Sequence, residues 1–132
     1  MIYGIGTDVC KVPRIAAALE RSGERFARKI LGPEELAVFL ERSSRSAARG
    51  VRYAATRFAA KEAFSKALGL GLRAPMSWHT AQLLNDGLGK PYMACSGALA
   101  EFMLQNALVA HISVSDEEDV AVAYAIVERT ND

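Results

Sequence analysis

The closing stretch Val120–Glu128, VAVAYAIVE, carries apolar side chains on both faces of the strand that its alternation predicts. Val120, Val122, Tyr124 and Ile126 fall on one face and Ala121, Ala123, Ala125 and Val127 on the other, because successive strand side chains point to opposite sides. A strand apolar on both faces has to be covered on both. In a chain of 132 residues the second cover is another layer of the same chain or another subunit, and a homo-oligomer meets that need.

Working outward, AHISVS (110–115) predicts a partner strand across the acidic turn Asp116–Asp119. Its alternation sets His111, Ser113 and Ser115 on one face, against Ile112 and Val114. Residues 97–108 read as an amphipathic helix, and HTAQLLND and KPYMAC as two strands joined around Asp86-Gly87-Leu88-Gly89. The first half is helical. Pro13 opens a helix that Gly23 stops, ERFARKIL is a short helix broken at Gly32-Pro33, and Pro33-Glu34-Glu35 starts another with carboxylates in its first turn. SSRSAARG (43–50) reads as a loop before a long helix over 51–68, ended by Gly69 and Gly71. Residues 2–10 read as a strand ending in a tight turn or bulge at GIGTD. Strand, helices, strands, helix, strands is the order of an α+β fold, here one domain over 1–132 with a mainly antiparallel sheet packed on the long helix.

Composition narrows the function classes. Half the residues are hydrophobic and about a quarter charged, as in ordinary globular proteins. No apolar run approaches the roughly 18 residues that a membrane span needs, and MIYGIGTDVCKVPRI lacks the basic start and apolar core of a signal peptide. Cys10 and Cys95 form no CxxC and read as free thiols of a cytoplasmic protein, with neither disulfide scaffold nor zinc site. The net charge of +1 hides an asymmetry: residues 1–66 hold 13 Lys/Arg against 7 Asp/Glu, and residues 67–132 hold 3 against 8. A basic half attracts acidic partners. Nucleic acid, an acidic protein and a phosphate-rich small molecule all answer to that charge, but no zinc-finger spacing or aromatic RNA-reading motif is present.

The stretch TRFAAKEAFSKALG (56–69) carries the charge into the long helix. At about 100° per residue, Phe58, Glu62, Ser65, Lys66 and Gly69 share one side, and Ala60, Phe64 and Ala67 form a core stripe roughly opposite. Arg57 and Lys61 sit on the flank. Alone, Glu62 and Lys66 describe a surface i,i+4 ion pair. Asp8 follows Gly4 and Gly6, whose backbone can be approached closely or bend sharply. GIGTD is not a dinucleotide fingerprint, since the third glycine of GxGxxG is missing. If Asp8 and Glu62 meet, they make two hard oxygen ligands of the kind magnesium takes alongside water and phosphate, with Lys66 one turn away as a point charge for those phosphates.

Three segments together, GIGTDVCKVPRI, RFAAKEAFSKALG and HISVSDEEDVAVAYAIVE, resemble the holo-[acyl-carrier-protein] synthase family of small bacterial phosphopantetheinyl transferases. ERFARKIL and NDGLGKPYM extend the resemblance over nearly the whole chain. It implies transfer of the phosphopantetheine arm of coenzyme A to a serine of apo acyl carrier protein, releasing adenosine 3',5'-bisphosphate, in fatty acid biosynthesis. By the same resemblance Asp8 and Glu62 hold Mg2+, Lys66 is catalytic and contacts the coenzyme A phosphates, and Arg57, Ser65 and His111 belong to the coenzyme A site. It further implies carrier-protein docking through Arg14, Arg21, Arg25 and Arg28 of the first helix, and a homotrimer with active sites between subunits. Phe58 is then expected to line the coenzyme A or carrier-protein surface. Where some relatives read HxSxxH, this chain has Asp116 at the second histidine position, so no role is assigned there. Two other readings of the same residues are a metal-dependent phosphohydrolase and a non-catalytic module that recognises an acidic protein.

Overall fold

The computed structural model describes residues 1–130. Its elements run β1 (Ile2–Lys11), α1 (Val12–Ser22), α2 (Glu24–Ile30), α3 (Pro33–Arg45), α4 (Ala47–Leu68), β2 (Ala81–Asn85), β3 (Pro91–Cys95), α5 (Gly97–Gln105), β4 (Leu108–Asp116) and β5 (Val120–Arg129). The expected α+β order holds. β1, β5 and β4 form an antiparallel sheet in that order, and β2 and β3 a separate hairpin.

The core lies between the three-stranded sheet and α4. Ala121, Ala123, Ala125 and Val127 of β5 are buried in one cluster with Ala59, Ala60, Ala63, Phe64 and Ala67 of α4. Small residues on both surfaces let strand and helix come close. The other face of β5 is open: Tyr124 is 62% exposed and Ile126 40%. Register places Ile5 opposite Ile126 and Val9 opposite Val122, so an apolar strip runs across the outer face of β1 and β5. Within one chain, β5 is covered on one side only.

Two local expectations are corrected. Residues 43–50 are not a loop: α3 continues to Arg45, and Ser46 alone separates it from α4, its hydroxyl accepting from Arg49 N at 3.4 Å. A serine/arginine-rich stretch looks polar enough for a loop, but its arginines stand on exposed helix surface while Gly50 is packed against Ser43. Nor does the chain turn at GIGTD. β1 passes straight through it, and its one irregularity lies between Ile2 and Gly4.

Candidate active site

Gly4 and Gly6 explain why Asp8 stands where it does. Both face α4, and a Cβ on Gly4 would overlap the Ala67 carbonyl while one on Gly6 would overlap that of Ala63. The glycines therefore serve close approach of strand to helix. Asp8 and Cys10 continue the same face at the two-residue period of a strand. This brings Asp8 beside Glu62 and Lys66, more than fifty residues away in sequence.

Burial first, and the Asp8 charge second, push the Glu62 carboxyl above its ordinary value, while Lys66 and Arg14 pull it down. The buried Cys10 thiol feels the same neighbours: burial raises it most, followed by Asp8, with Arg14 opposing and Glu62 adding a further rise. Lys66 does not make the i,i+4 pair with Glu62 that its spacing suggests. Its Nζ instead crosses to β1, donating to Thr7 O at 3.0 Å and lying 3.4 Å from Asp8 Oδ1. Ser65 is almost fully buried and donates to the Glu62 carbonyl at 2.8 Å, so its hydroxyl is turned into the helix.

The donor set is one of hard oxygens, of the kind that magnesium takes beside water and phosphate. Two carboxylates converge, and no group of three His, Cys, Asp or Glu that could hold a metal occurs among the described residues. Transition metals favour fuller protein cages of nitrogen and sulfur, whereas magnesium keeps waters and phosphate oxygens beside one or two carboxylates.

Phe58, one turn before Glu62, stacks on Trp78 at 5.1 Å between ring centroids, and the Arg14 guanidinium lies 5.5 Å from its own ring centre. Phe58 is half-buried on the Glu62 side, while Phe64 is fully buried, as the helical wheel predicts.

Arg57 is buried and faces away from that pair. Its Nε donates to Leu83 O at 3.2 Å, Nη1 to Thr56 Oγ1 and Nη2 to Asn85 Oδ1, both at 3.0 Å, and its plane lies 3.9 Å from the Tyr53 ring centre. Three of the five N–H donors of a guanidinium are thus committed to the scaffold. Arg57 also lines a cleft of about 560 Å³, together with Arg42, Arg45, Arg49, Arg52, Tyr53 and, from β4, Asp116. None of these neighbours was singled out in the sequence for binding. The signal was present: Arg42, Arg45, Arg49 and Arg52 recur at helical spacing, but across the stretch read as a loop.

His111 stands apart from Asp8 and Glu62. It is on the outer face of β4, exposed, with Nε2 3.0 Å from Glu128 Oε1. Arg14, Arg21, Arg25 and Arg28 are all exposed, but only Arg14 and Arg21 lie on α1; Arg25 and Arg28 belong to α2, and Arg28 pairs with Glu24 at 3.0 Å. Lys61, expected on the flank, is fully buried, and its partner is Glu35 at 2.5 Å.

Residues 4–125 match the profile of the 4'-phosphopantetheinyl transferase superfamily. The chain is 57% identical to the holo-[acyl-carrier-protein] synthase of Herminiimonas arsenicoxydans over 98% of its own length and 99% of the relative's. Its fold is similar to that of the Neisseria meningitidis holo-[acyl-carrier-protein] synthase, with a TM-score of 0.90 at 41% identity, covering 98% of this chain and 100% of that one. The Bacillus anthracis synthase solved in complex with CoA (3',5'-ADP) is similar too, with a TM-score of 0.81 at 32% identity, covering 98% and 99% of the two chains.

Proposed function

The chain belongs to the 4'-phosphopantetheinyl transferase superfamily, on its holo-[acyl-carrier-protein] synthase branch, and from that premise we propose the reaction that its site performs. It moves the phosphopantetheine arm of coenzyme A onto a serine hydroxyl of apo acyl carrier protein, in the cytoplasm and for fatty acid biosynthesis. The serine oxygen–phosphorus bond forms as the hydroxyl proton passes to solvent, the pyrophosphate phosphorus–oxygen bond breaks, and adenosine 3',5'-bisphosphate leaves with the electron pair. The observation that carries this reading is the convergence of Asp8, Glu62 and Lys66 on facing surfaces of β1 and α4.

Asp8 and Glu62 are the residues that would hold Mg2+, which when bound neutralises phosphate charge and polarises the phosphoryl oxygen. Lys66 supplies a fixed positive charge beside them for the leaving group. The arginine cleft with Arg57 offers guanidinium groups to the remaining phosphates, by the charge-assisted hydrogen bonds that favour arginine there. Arg14 and Arg21, with Arg25 and Arg28, meet the acidic carrier protein, and charge complementarity speeds that encounter.

The carboxylate pair and the cleft lie toward opposite edges of the three-stranded sheet, β1 and β4. A homotrimer that buries the open strip Ile5, Val9, Val122, Tyr124 and Ile126 resolves this: one protomer offers Asp8, Glu62 and Lys66, and its neighbour offers Arg57 and His111 to the same coenzyme A. Incubation with coenzyme A, Mg2+ and apo carrier protein, followed by mass spectrometry of the carrier, tests the proposal. A gain of one phosphopantetheine, abolished by EDTA and by Glu62→Gln, supports it. An unmodified carrier that a known synthase can load rules it out.

A further inference from the structure

The Glu35–Lys61 pair is the largest buried polar feature that the reaction leaves without a task. Both side chains are completely excluded from solvent. Lys61 Nζ places its three protons on Glu35 Oε1 at 2.5 Å, Ile30 O at 2.7 Å and Trp78 O at 2.6 Å. Glu35 Oε1 also accepts from Gly32 N at 2.8 Å, and Oε2 accepts from Leu83 N at 2.7 Å. Every donor and acceptor of the pair has a partner, and the partners come from the end of α2, the start of α3, α4, the segment before β2, and β2 itself. Hydrophobic pairs of similar volume often replace buried ion pairs without loss of stability, so stability alone is a weak reason for this one, and its contacts direct attention to what it orients.

What it orients is one residue away. Leu83, whose N–H is held by Glu35, is the residue whose carbonyl receives Arg57 Nε at 3.2 Å. Two residues further along β2, Asn85 Oδ1 holds Arg57 Nη2 at 3.0 Å, and Asn85 is itself tied to Gly89 O at 3.0 Å. Burial works against the Arg57 charge, with Tyr53 and then Glu35 offsetting it. A continuous route of short bonds thus runs from Lys61 through Glu35 and Leu83 to the guanidinium in the cleft.

We propose that the buried Glu35–Lys61 pair is a positioning element for phosphate recognition: it fixes β2 against α4 and so aims Arg57 into the cleft. The inference rests on the reading of that cleft as the coenzyme A phosphate site. Adjacent residues of one motif then have separate tasks, Lys61 serving the cleft from the core while Glu62 serves the metal.

The test is the double variant Glu35→Gln/Lys61→Met, which removes both charges together and leaves neither buried alone. A positioned charged hydrogen bond is worth enough that its loss should raise KM for coenzyme A by about tenfold, with kcat and KM for carrier protein within about twofold. A purely structural role would lower the melting temperature and the active fraction but leave KM for coenzyme A unchanged, and that result overturns the proposal. If the double variant does not fold, the wild-type protein decides by NMR of its arginine side chains. A slowly exchanging Arg57 Nε–H, retained when adenosine 3',5'-bisphosphate binds, supports the route; exchange as fast as that of Arg45 overturns it. Wild-type protein that neither binds the bisphosphate nor transfers phosphopantetheine defeats the coenzyme A reading itself, a different outcome from an active wild type with an unaffected double variant.

Discussion

Gly6 of β1 lies so close to Ala63 of α4 that a side chain of any size on it would overlap the Ala63 carbonyl oxygen. The obstacle is backbone on both sides, so neither element can yield alone. Gly6→Ala should therefore destabilise the fold by about 3 kcal/mol, at the upper end of what overpacking costs. That corresponds to a melting temperature lower by about 10 °C. Because the strand must move away from the helix, Asp8 should also part from Glu62, raising the Mg2+ concentration that activity requires at temperatures where the variant is still folded. Thermal unfolding followed by circular dichroism checks the first effect, and an unchanged melting temperature would contradict the close approach.

This contact also marks where sequence reasoning reached its limit. The alternation of Val120–Val127 announced a strand apolar on both faces, and Pro13 and Gly23 bounded α1, because each signal is local and the structure agrees with it. The meaning of Gly4 and Gly6 was not local. The same two residues suit a turn or a close crossing, and only the helix on the far side distinguishes them. Lys61 and Arg57 were misplaced for a related reason. A charged residue on a helix is normally exposed, and the carboxylate or carbonyl that makes burial tolerable comes from α3 or β2. The arginine stripe was hidden by reading residues 43–50 as a loop. That Asp8 and Glu62 would form a metal site if they met is legible from their chemistry, but that they meet entered through the family resemblance, since spacing within either segment says nothing about it.

The open face of β5 carries the second prediction. Tyr124 is 62% exposed at the middle of the strip that a neighbouring copy is proposed to cover. Tyr124→Asp places a charge there without disturbing the intrachain core, which lies on the opposite face. The variant should sediment as a folded monomer and lose transfer activity, because the cleft and the carboxylate pair would no longer share a ligand. If a folded Tyr124→Asp protein sediments as the wild type does, the sheet face is not the interface.

Asp116, paired through its backbone with Ala121 of β5, lines the arginine cleft from β4, and its carboxylate has no ion-pair partner among the described residues. A carboxylate at that edge partly cancels the field that attracts phosphate. Asp116→Asn should therefore lower KM for coenzyme A by roughly twofold to fivefold, the span of an exposed charge interaction worth up to about 1 kcal/mol. Steady-state kinetics at two salt concentrations are the check, with a smaller difference at high salt because screening weakens both charges. A higher KM in the variant would mean that Asp116 contacts the substrate favourably.

Arg14 and Arg21 separate docking from chemistry. Both are exposed on α1, and only Arg14 lies near enough to Glu62 to depress its carboxyl. Charge reversal at Arg21 should raise KM for carrier protein about tenfold and leave KM for coenzyme A unchanged, as expected when a steering contact is lost. Reversal at Arg14 should do the same and also lower kcat, since its charge reaches Glu62. Equal effects of Arg21 reversal on both substrates would count against α1 as the docking helix.

Glu62 gives the pH prediction, and its sign follows from the direction of the shift. Burial and the Asp8 charge hold the folded-state carboxyl above its unfolded value. The folded protein therefore binds that proton more tightly than the unfolded chain. Stability from this group is complete below the ordinary glutamate value of about 4.3 and declines as pH rises through the raised folded value. Glu62→Gln removes the decline. In EDTA the variant should be more stable than the wild type at pH 7, and the difference should vanish near pH 4. Adding Mg2+ at pH 7 should stabilise the wild type alone, because an ion bound only by the folded state shifts the unfolding equilibrium. Urea unfolding across this pH range, with and without Mg2+, reads both effects. A wild type that is more stable than Glu62→Gln at pH 7 in EDTA would show that the carboxylates are stabilised by the fold, so that holding the metal carries no cost in stability.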